Sequence, residues 1–428
     1  MADQESGTRP VVWMGIDIAK SWNAALVEHP DGRRQRFRFQ HSMDEYDRLV
    51  GFLRGTGCVC RIAFEPTGDY HRLLGYRLLR EGFEVCQISS VAGARYRDAM
   101  FNSWDKNDPK DAEVILRLLK QGVTQRYYDP LVNGTHDLKE LSKVYQQVTR
   151  ARARLRHRIV THYLALYFPE VERYWYSTRN DWFVLFLLQF PTPDTIRVLN
   201  REQFVAAAWD VVGRKVGKRQ QLEELHGIAQ RSIGLPVTAD SPAIEAFRLQ
   251  LASYHALNDQ RAKLEERAHA LLKDRHDYQR LRELPGIGPI IALVILAEAG
   301  DLRRFGHHQQ FLKYCGLDLA KSQSGVSRGQ ERLAKRGNAR LRCALWQAAT
   351  VAIRMRENAF RDKYARYVAL DPESPDLRRK AHTAVTAKMA RVAYALVKFD
   401  RPYRGRFEVG LPSGSIPLTA ALEAIGTS

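Results

Sequence analysis

The sequence is poor in the features that mark secreted and membrane proteins. Its five cysteines, Cys58, Cys60, Cys86, Cys315 and Cys343, are odd in number, and none belongs to a C-x-x-C pair. That argues against a disulfide framework and a zinc site, and it fits a reducing cytoplasm. No apolar run approaches the ~18 residues that a membrane span needs. The longest candidate, Trp182 to Phe190, reads as a buried helix. The first ten residues are polar and lack the apolar core of a secretion signal. Acids are short as well: 48 Asp and Glu stand against 67 Lys and Arg, a net charge of +19. Such an excess favours a polyanionic partner, and the lack of a long apolar run leads us to expect no membrane among the partners. A scaffold that binds nucleic acid without chemistry would fit the charge equally well, so the decision rests on what lies beside it.

What is present is an ordinary globular mixture, 45% hydrophobic and 27% charged over 428 residues. At ~150 residues per domain, two or three domains are expected. Residues 11 to 125 alternate strand and helix signals. Strands are expected at Val11 to Ile18, Trp22 to Glu28, Arg34 to Phe39, Val59 to Phe64 and Glu84 to Ile88. Helices are expected from a Ser42-x-x-Glu45 capping box to Leu53 and from Tyr70 to Arg80. This pattern implies a mixed sheet in an α/β domain. Residues 130 to 278 read as helix. Leu138, Leu141, Tyr145, Val148, Leu155, Ile159 and Leu166 form one seam, and Phe247, Leu251, Tyr254, Leu257, Leu264, Ala268 and Leu271 form another. The two are either arms of a coiled coil between chains or one helical pair within a chain. An irregular insert is expected from about 170 to 240, with a turn at Pro191 and Pro193. Residues 279 to 405 are helical and basic, and residues 406–428 form a peripheral tail rich in Gly, Pro and Ser.

Four acids stand out in the first region. Asp17, in Gly15-Ile16-Asp17-Ile18-Ala19-Lys20, closes an apolar strand, and Glu65 follows Val59 to Phe64 in the same way. An acid at such a place is costly unless it is paired or holds a cation. Asp108 and Asp111, in Asn107-Asp108-Pro109-Lys110-Asp111, lie one turn apart at a helix start. Singly each reads as a turn or cap residue. Together, in one α/β domain, they suggest a site for Mg²⁺ or Mn²⁺, hard cations that prefer oxygen ligands.

The last region holds two further features. Leu284-Pro285-Gly286-Ile287-Gly288-Pro289 looks like a helix-hairpin-helix turn, in which Gly286 and Gly288 let the backbone approach a phosphate. Between Lys321 and Arg342 there are seven Lys or Arg and one acid, Glu331, around Lys321-Ser322-Gln323-Ser324-Gly325-Val326-Ser327-Arg328. Lys321, Arg328, Arg332, Lys335 and Arg336 could cradle a phosphate. Arg150, Arg152, Arg154, Arg156 and Arg158 crowd one helix, and their repulsion argues for a nucleic-acid partner at Arg150, Arg154 and Arg158.

The order Asp17, Glu65, Asp108, Asp111, with the motifs G-I-D-I-A-K, F-E-P-T-G-D-Y and N-D-P-K-D-A, resembles the DEDD insertion-sequence transposases. That family includes the Piv invertase and bridge-RNA-guided recombinases. Its first domain is similar to the RuvC resolvase, a ribonuclease H-like fold. Gly316-Leu317, Gln323-Ser324-Gly325 and Arg336-Gly337-Asn338-Ala339-Arg340-Leu341-Arg342 resemble its second domain, which carries a catalytic serine. Ser324 matches best, with Ser322 and Ser327 near enough to leave the register open. Asp318-Leu319 departs from the proline-containing segment of many members. The resemblance implies a metal-dependent DNA recombinase acting as a homodimer or tetramer, with a structured guide RNA choosing the DNA sites. The alternative enzyme is a junction-resolving nuclease that uses the carboxylates without the serine.

Overall fold

The computed structural model describes residues 9–101, 108–177, 182–213, 216–320, 323–324, 327–328 and 332–405. The chain divides into two compact units, residues 1–136 and 137–428.

In the first unit, β1 (Val11–Asp17), β2 (Trp22–Glu28) and β3 (Arg34–Gln40) form an antiparallel meander. α1 (Met43–Gly55), capped by Ser42 Oγ accepting from the Glu45 amide, leads to β4 (Val59–Phe64). Next come α2 (His71–Arg80), β5 (Glu84–Gln87), α3 (Ser90–Phe101), α4 (Asp108–Lys120) and β6 (Gln125–Arg126). The sheet order is β3-β2-β1-β4-β5-β6, with β4 parallel to both β1 and β5. Successive side chains of a strand point to opposite faces. Val12, Met14 and Ile16 of β1 accordingly pack with Leu49, Leu53, Leu74 and Leu78 of α1 and α2. The other face, with Trp13, Leu26, Ala63 and Cys86, packs against Ala112, Val114, Ile115 and Leu116 of α4. Five strands and two helices lie within a residue or two of their expected bounds, while α3 was not foreseen.

The second unit is mostly helical. It begins with α5 (His136–Arg158), which runs into a π-helical segment, Ile159–Leu164. Six helices follow: α6 (Ala165–Tyr167), α7 (Glu172–Ser177), α8 (Trp182–Gln189), α9 (Asp194–Arg197), α10 (Arg201–Val212) and α11 (Val216–Gln230). The expected irregular insert is therefore largely helical. Its helices are short because Pro169, Pro191 and Pro193 interrupt them, and an aromatic core of Phe168, Phe183, Phe186 and Phe204 holds them together.

The 31-residue α12 (Pro242–Leu272) then runs back along α5. Tyr163 stacks on Phe247 at 5.0 Å, Arg152 bonds Asn258, and Tyr145 meets Arg261 and Glu265. The partners run in opposite order, so the two heptad-like seams meet each other, antiparallel, inside one chain. They lend no support to a coiled coil between chains. α13 (His276–Arg282), α14 (Pro289–Ala299), α15 (His308–Cys315), α16 (Ala339–Arg354), α17 (Ala359–Val368) and α18 (Pro375–Phe399) form a second core around Leu293, Leu296, Leu345, Val385 and Met389.

Candidate active site and nucleic-acid surfaces

The acids of the first unit are brought together by strand pleat and register. Ile16 pairs with Phe64 across parallel β1 and β4, so Asp17 and Glu65, the next residue on each, leave adjacent strands at the same level. By alternation both belong to the face that carries α4 and not to the face of Ile16 and Phe64. Gly15 makes room for that helix. A Cβ there would lie 2.5 Å from both Ala112 O and Leu116 N, so only glycine lets α4 press onto β1 at this point.

The loop after Asp17 is fastened from both sides. Asn23 Oδ1 accepts from the Ala19 amide at 3.2 Å, and His41 Nε2 sits 2.8 Å from Ala19 O. Gly68, at φ +52, turns the segment after Glu65. Asp108 opens α4, one turn before Asp111, and its side chain lies outside the described residues.

Asp111 is buried, and its Oδ1 lies 2.6 Å from Arg97 Nε of α3. Neither atom has the alignment of a hydrogen bond with any partner among the described residues. A carboxylate this enclosed costs several kcal/mol without a cation; Arg97 supplies one. One turn earlier on α3, a Cβ on Gly93 would lie 3.2 Å from Glu65 Oε2. Arg97 was missed in the sequence because α3 carries no clear apolar periodicity. Among the described residues no three metal-binding side chains form a ready-made cluster. The oxygen donors nevertheless fit a divalent ion in kind: Asp17 and Glu65 at adjacent strand ends, and Asp111 buried with an oxygen that lacks a hydrogen bond.

In the second unit the Leu284–Pro289 turn joins α13 to α14. Gly286 has φ +87, and a Cβ on it would lie 2.1 Å from Ala348 O of α16. This glycine therefore serves helix packing. Gly288 is different: it caps α14, and the nearest atom to a Cβ there is an Arg282 nitrogen at 4.0 Å.

Two motif segments bracket the serine region. Gly316, at φ +67, ends α15, and Gly337 packs so closely on Tyr314 and Gly316 that a Cβ would lie 2.6 Å from their backbone. Asn338 Oδ1 caps α16 through the Arg340 and Leu341 amides, while its Nδ2 donates to Glu298 at 2.7 Å. Between the brackets, β7 (Leu319–Ala320) pairs with β10 (Arg332–Leu333), and β8 (Gln323–Ser324) pairs with β9 (Ser327–Arg328). Ser324 and Ser327 are direct partners in that pair. Lys321 and Ser322 lie outside the described residues, as do the side chains of Ser324 and Arg328, whereas Arg332, Lys335 and Arg336 are exposed.

On α5, Arg150, Arg154, Arg156 and Arg158 are exposed. Arg152 turns inward, bonded to Asn258 and 5.3 Å from the Tyr254 ring centre. A further basic cluster went unread in the sequence. Burial lowers the amine pKa values of Lys363 on α17 and Lys388 on α18; the charges of Arg391 and Arg366 lower the first further, and those of Lys363 and Arg391 the second. The repeated Lys-x-x-Arg spacing was the available signal.

Comparison with known proteins places these features. A DEDD transposase model, described as "Transposase", matches residues 14–169, and a model described as "Transposase IS116/IS110/IS902 family" matches residues 278–365. The mini-circle putative transposase for IS117 of Streptomyces coelicolor is 27% identical over 73% of this chain and 78% of its own length. The insertion element IS110 uncharacterized 43.6 kDa protein of the same organism is 25% identical, over 77% and 80%. The transposase for insertion sequence element IS1111A of Coxiella burnetii is 31% identical over 33% and 38%. The matches define an insertion-sequence transposase, an enzyme class that cuts and recombines DNA. Within that class, the chain belongs to the IS110 family of DEDD transposases. Among the described residues no helix is long and apolar enough to cross a membrane.

Proposed function

We propose that the chain cuts and rejoins DNA, with Asp17, Glu65, Asp108 and Asp111 as its metal-binding acids and Ser324 as its nucleophile. The ribonuclease H-like reading of the first unit is supported by its antiparallel meander, parallel β1-β4-β5 and the helix seated on β1. The observation that carries the proposal is the placement of Asp17 and Glu65 at adjacent strand ends on the face where Asp111 is buried. The four acids would hold Mg²⁺ or Mn²⁺, which when bound supplies positive charge to the reacting phosphate.

The protein's part begins with position. The exposed Arg332, Lys335 and Arg336 draw the DNA backbone to the hairpin that bears Ser324. The serine oxygen bonds to phosphorus as the bond to one deoxyribose oxygen breaks. The hydroxyl proton passes to a base, and the departing oxygen takes one up. The phosphoserine ester keeps the bond energy, so a second strand's hydroxyl can displace the serine without net hydrolysis. Such a reaction holds two DNA segments at once, which is why we assign it to a dimer or tetramer. The arginine face of α5 and the Lys363–Arg366–Lys388–Arg391 cluster are surfaces for phosphates, including those of a structured guide RNA.

The test is covalent trapping. Wild-type protein should carry labelled DNA through a denaturing gel, and Ser324→Ala should lose that adduct while still binding DNA. Ser322→Ala and Ser327→Ala should keep it. An adduct in all three variants would assign the bond to another side chain, and cut DNA without any adduct in the wild type would leave a nuclease that uses water, not the serine, as nucleophile.

A further inference from the structure

The carboxylate site already holds a cation of its own. Arg97 Nε stands 2.6 Å from Asp111 Oδ1, and both side chains are largely enclosed, at 17% and 7% exposure. A guanidinium does not lose its proton, so the arginine cannot be neutralised in place. A divalent ion binds a carboxylate oxygen at about 2.1 Å. An ion on that Asp111 oxygen would face the fixed charge of Arg97 across a few ångströms of poorly screened interior. The two cations exclude each other at this atom. The contact is close in distance but lacks hydrogen-bond alignment at both atoms. α3 ties the arginine to the rest of the site, because Gly93, one turn away, sits against Glu65 Oε2.

We infer that Arg97 is an internal counter-cation of the carboxylate site, holding Asp111 until a divalent ion displaces it and obliges the Gly93–Arg97 turn of α3 to move. This rests on the metal-binding reading of the acids proposed above. It makes Arg97 a positioning residue that sets how readily the site loads, and it adds a step before any DNA is cut.

The experiment titrates Mn²⁺ into full-length protein, following free Mn²⁺ by electron paramagnetic resonance. The samples are wild type, Arg97→Lys and Arg97→Gln. The Gln variant should bind about tenfold more tightly than wild type, a change equivalent to about 1.4 kcal/mol. The Lys variant, which keeps the charge, should stay near wild type. Hydrogen exchange on the unaltered protein gives a second reading that needs no variant to fold. Mn²⁺ should speed amide exchange in residues 90–101 while slowing it beside Asp17 and Glu65. Equal Mn²⁺ affinity in wild type and the Gln variant, or unchanged exchange in 90–101 on Mn²⁺ binding, overturns the role of Arg97 and leaves the metal site standing. No Mn²⁺ binding in any of the three removes the metal reading itself, and this inference with it.

Discussion

The two units place their reactive groups by opposite means. In the first, the acids are set by the core: the parallel β1–β4 register brings Asp17 and Glu65 level, and Gly15 lets α4 bring Asp111 down onto the sheet. In the second, Ser324 sits on a two-residue strand paired with another, and packing fixes the brackets, Gly316 on one side and Gly337-Asn338 on the other. A site made by the core has its geometry before any substrate arrives. The comparison teaches that substitution should act differently in the two places: in the first unit it disturbs chemistry, and in the second it separates binding, folding and chemistry.

The largest effect should come from the acids. Asp17→Ala or Asp111→Ala should abolish strand exchange while DNA affinity, measured by gel shift, stays within a few-fold. Chelation of divalent metal in the wild-type reaction should do the same. Full exchange in chelator would break the comparison at its first term, since the first unit would then contribute no chemistry. Asp111→Ala also leaves Arg97 without its partner, so its melting temperature is the control that separates lost catalysis from lost folding.

Next in size are the two glycines that admit helices. Alanine at Gly15 meets helix backbone at 2.5 Å, and alanine at Gly286 meets Ala348 O at 2.1 Å. Overpacking of this kind costs about 1–3 kcal/mol. Gly286 adds roughly 1–2 kcal/mol for its left-handed backbone. Gly286→Ala should therefore lower the melting temperature more, yet leave Mn²⁺ affinity unchanged. Gly15→Ala should cost less stability and weaken Mn²⁺ binding. A reversal of that pattern would show that the acids do not depend on the seating of α4.

These cases also show how much could be read from residues alone. β1, β2 and β4 were legible because strands covered on both faces read as short apolar runs, and two acids at the ends of such runs stood out against them. α3 was not legible. Val91-Ala92-Gly93-Ala94 offers small residues and no stripe, so its arginine could not be assigned to Asp111 without the packing. Gly286 was visible as a special residue, but its partner, a carbonyl of α16 sixty-two positions on, was not. The strands beside Ser324 were not legible, because two-residue strands have no period to detect. In the middle region the seams were correct as apolar faces. Their partner, the same chain or another, is a fact of topology that periodicity does not carry.

A smaller effect should separate the binding surfaces. Replacing Arg150, Arg154 and Arg158 with Gln should leave the fold intact, because their side chains are exposed, whereas Arg152→Gln should lower stability by losing Asn258 and Tyr254. If each of the three meets a phosphate, the slope of log affinity against log salt should fall by about 2.7 in magnitude. An unchanged slope would move binding to the Lys363–Arg391 cluster, where the corresponding Gln variants are the next measurement.

The smallest expected effect is the pH dependence that His382 gives to the second unit. His382 of α18 stacks on Trp346 of α16 at 3.6 Å, and its Nε2 lies 2.8 Å from Thr350 Oγ1. Burial holds its pKa below the ordinary 6.5. The folded state therefore binds fewer protons than the unfolded chain in the window between the lowered value and 6.5. Stability rises with pH there: this contribution is complete above about 6.5 and is lost as pH falls through the folded value. His308 acts in the same direction, lowered first by burial and then by the charges of His307, Arg391 and Lys388. Acidification from pH 7.5 to 5.5 should thus lower the melting temperature of the second unit, and His382→Gln should remove part of that dependence, on the order of a degree or two. His71 of the first unit is also lowered by burial, so the comparison needs a reporter for each unit. Tryptophan fluorescence at Trp346 serves the second. A His382→Gln protein whose melting follows pH as steeply as wild type at that reporter would assign the effect elsewhere, with His308 the next residue to replace.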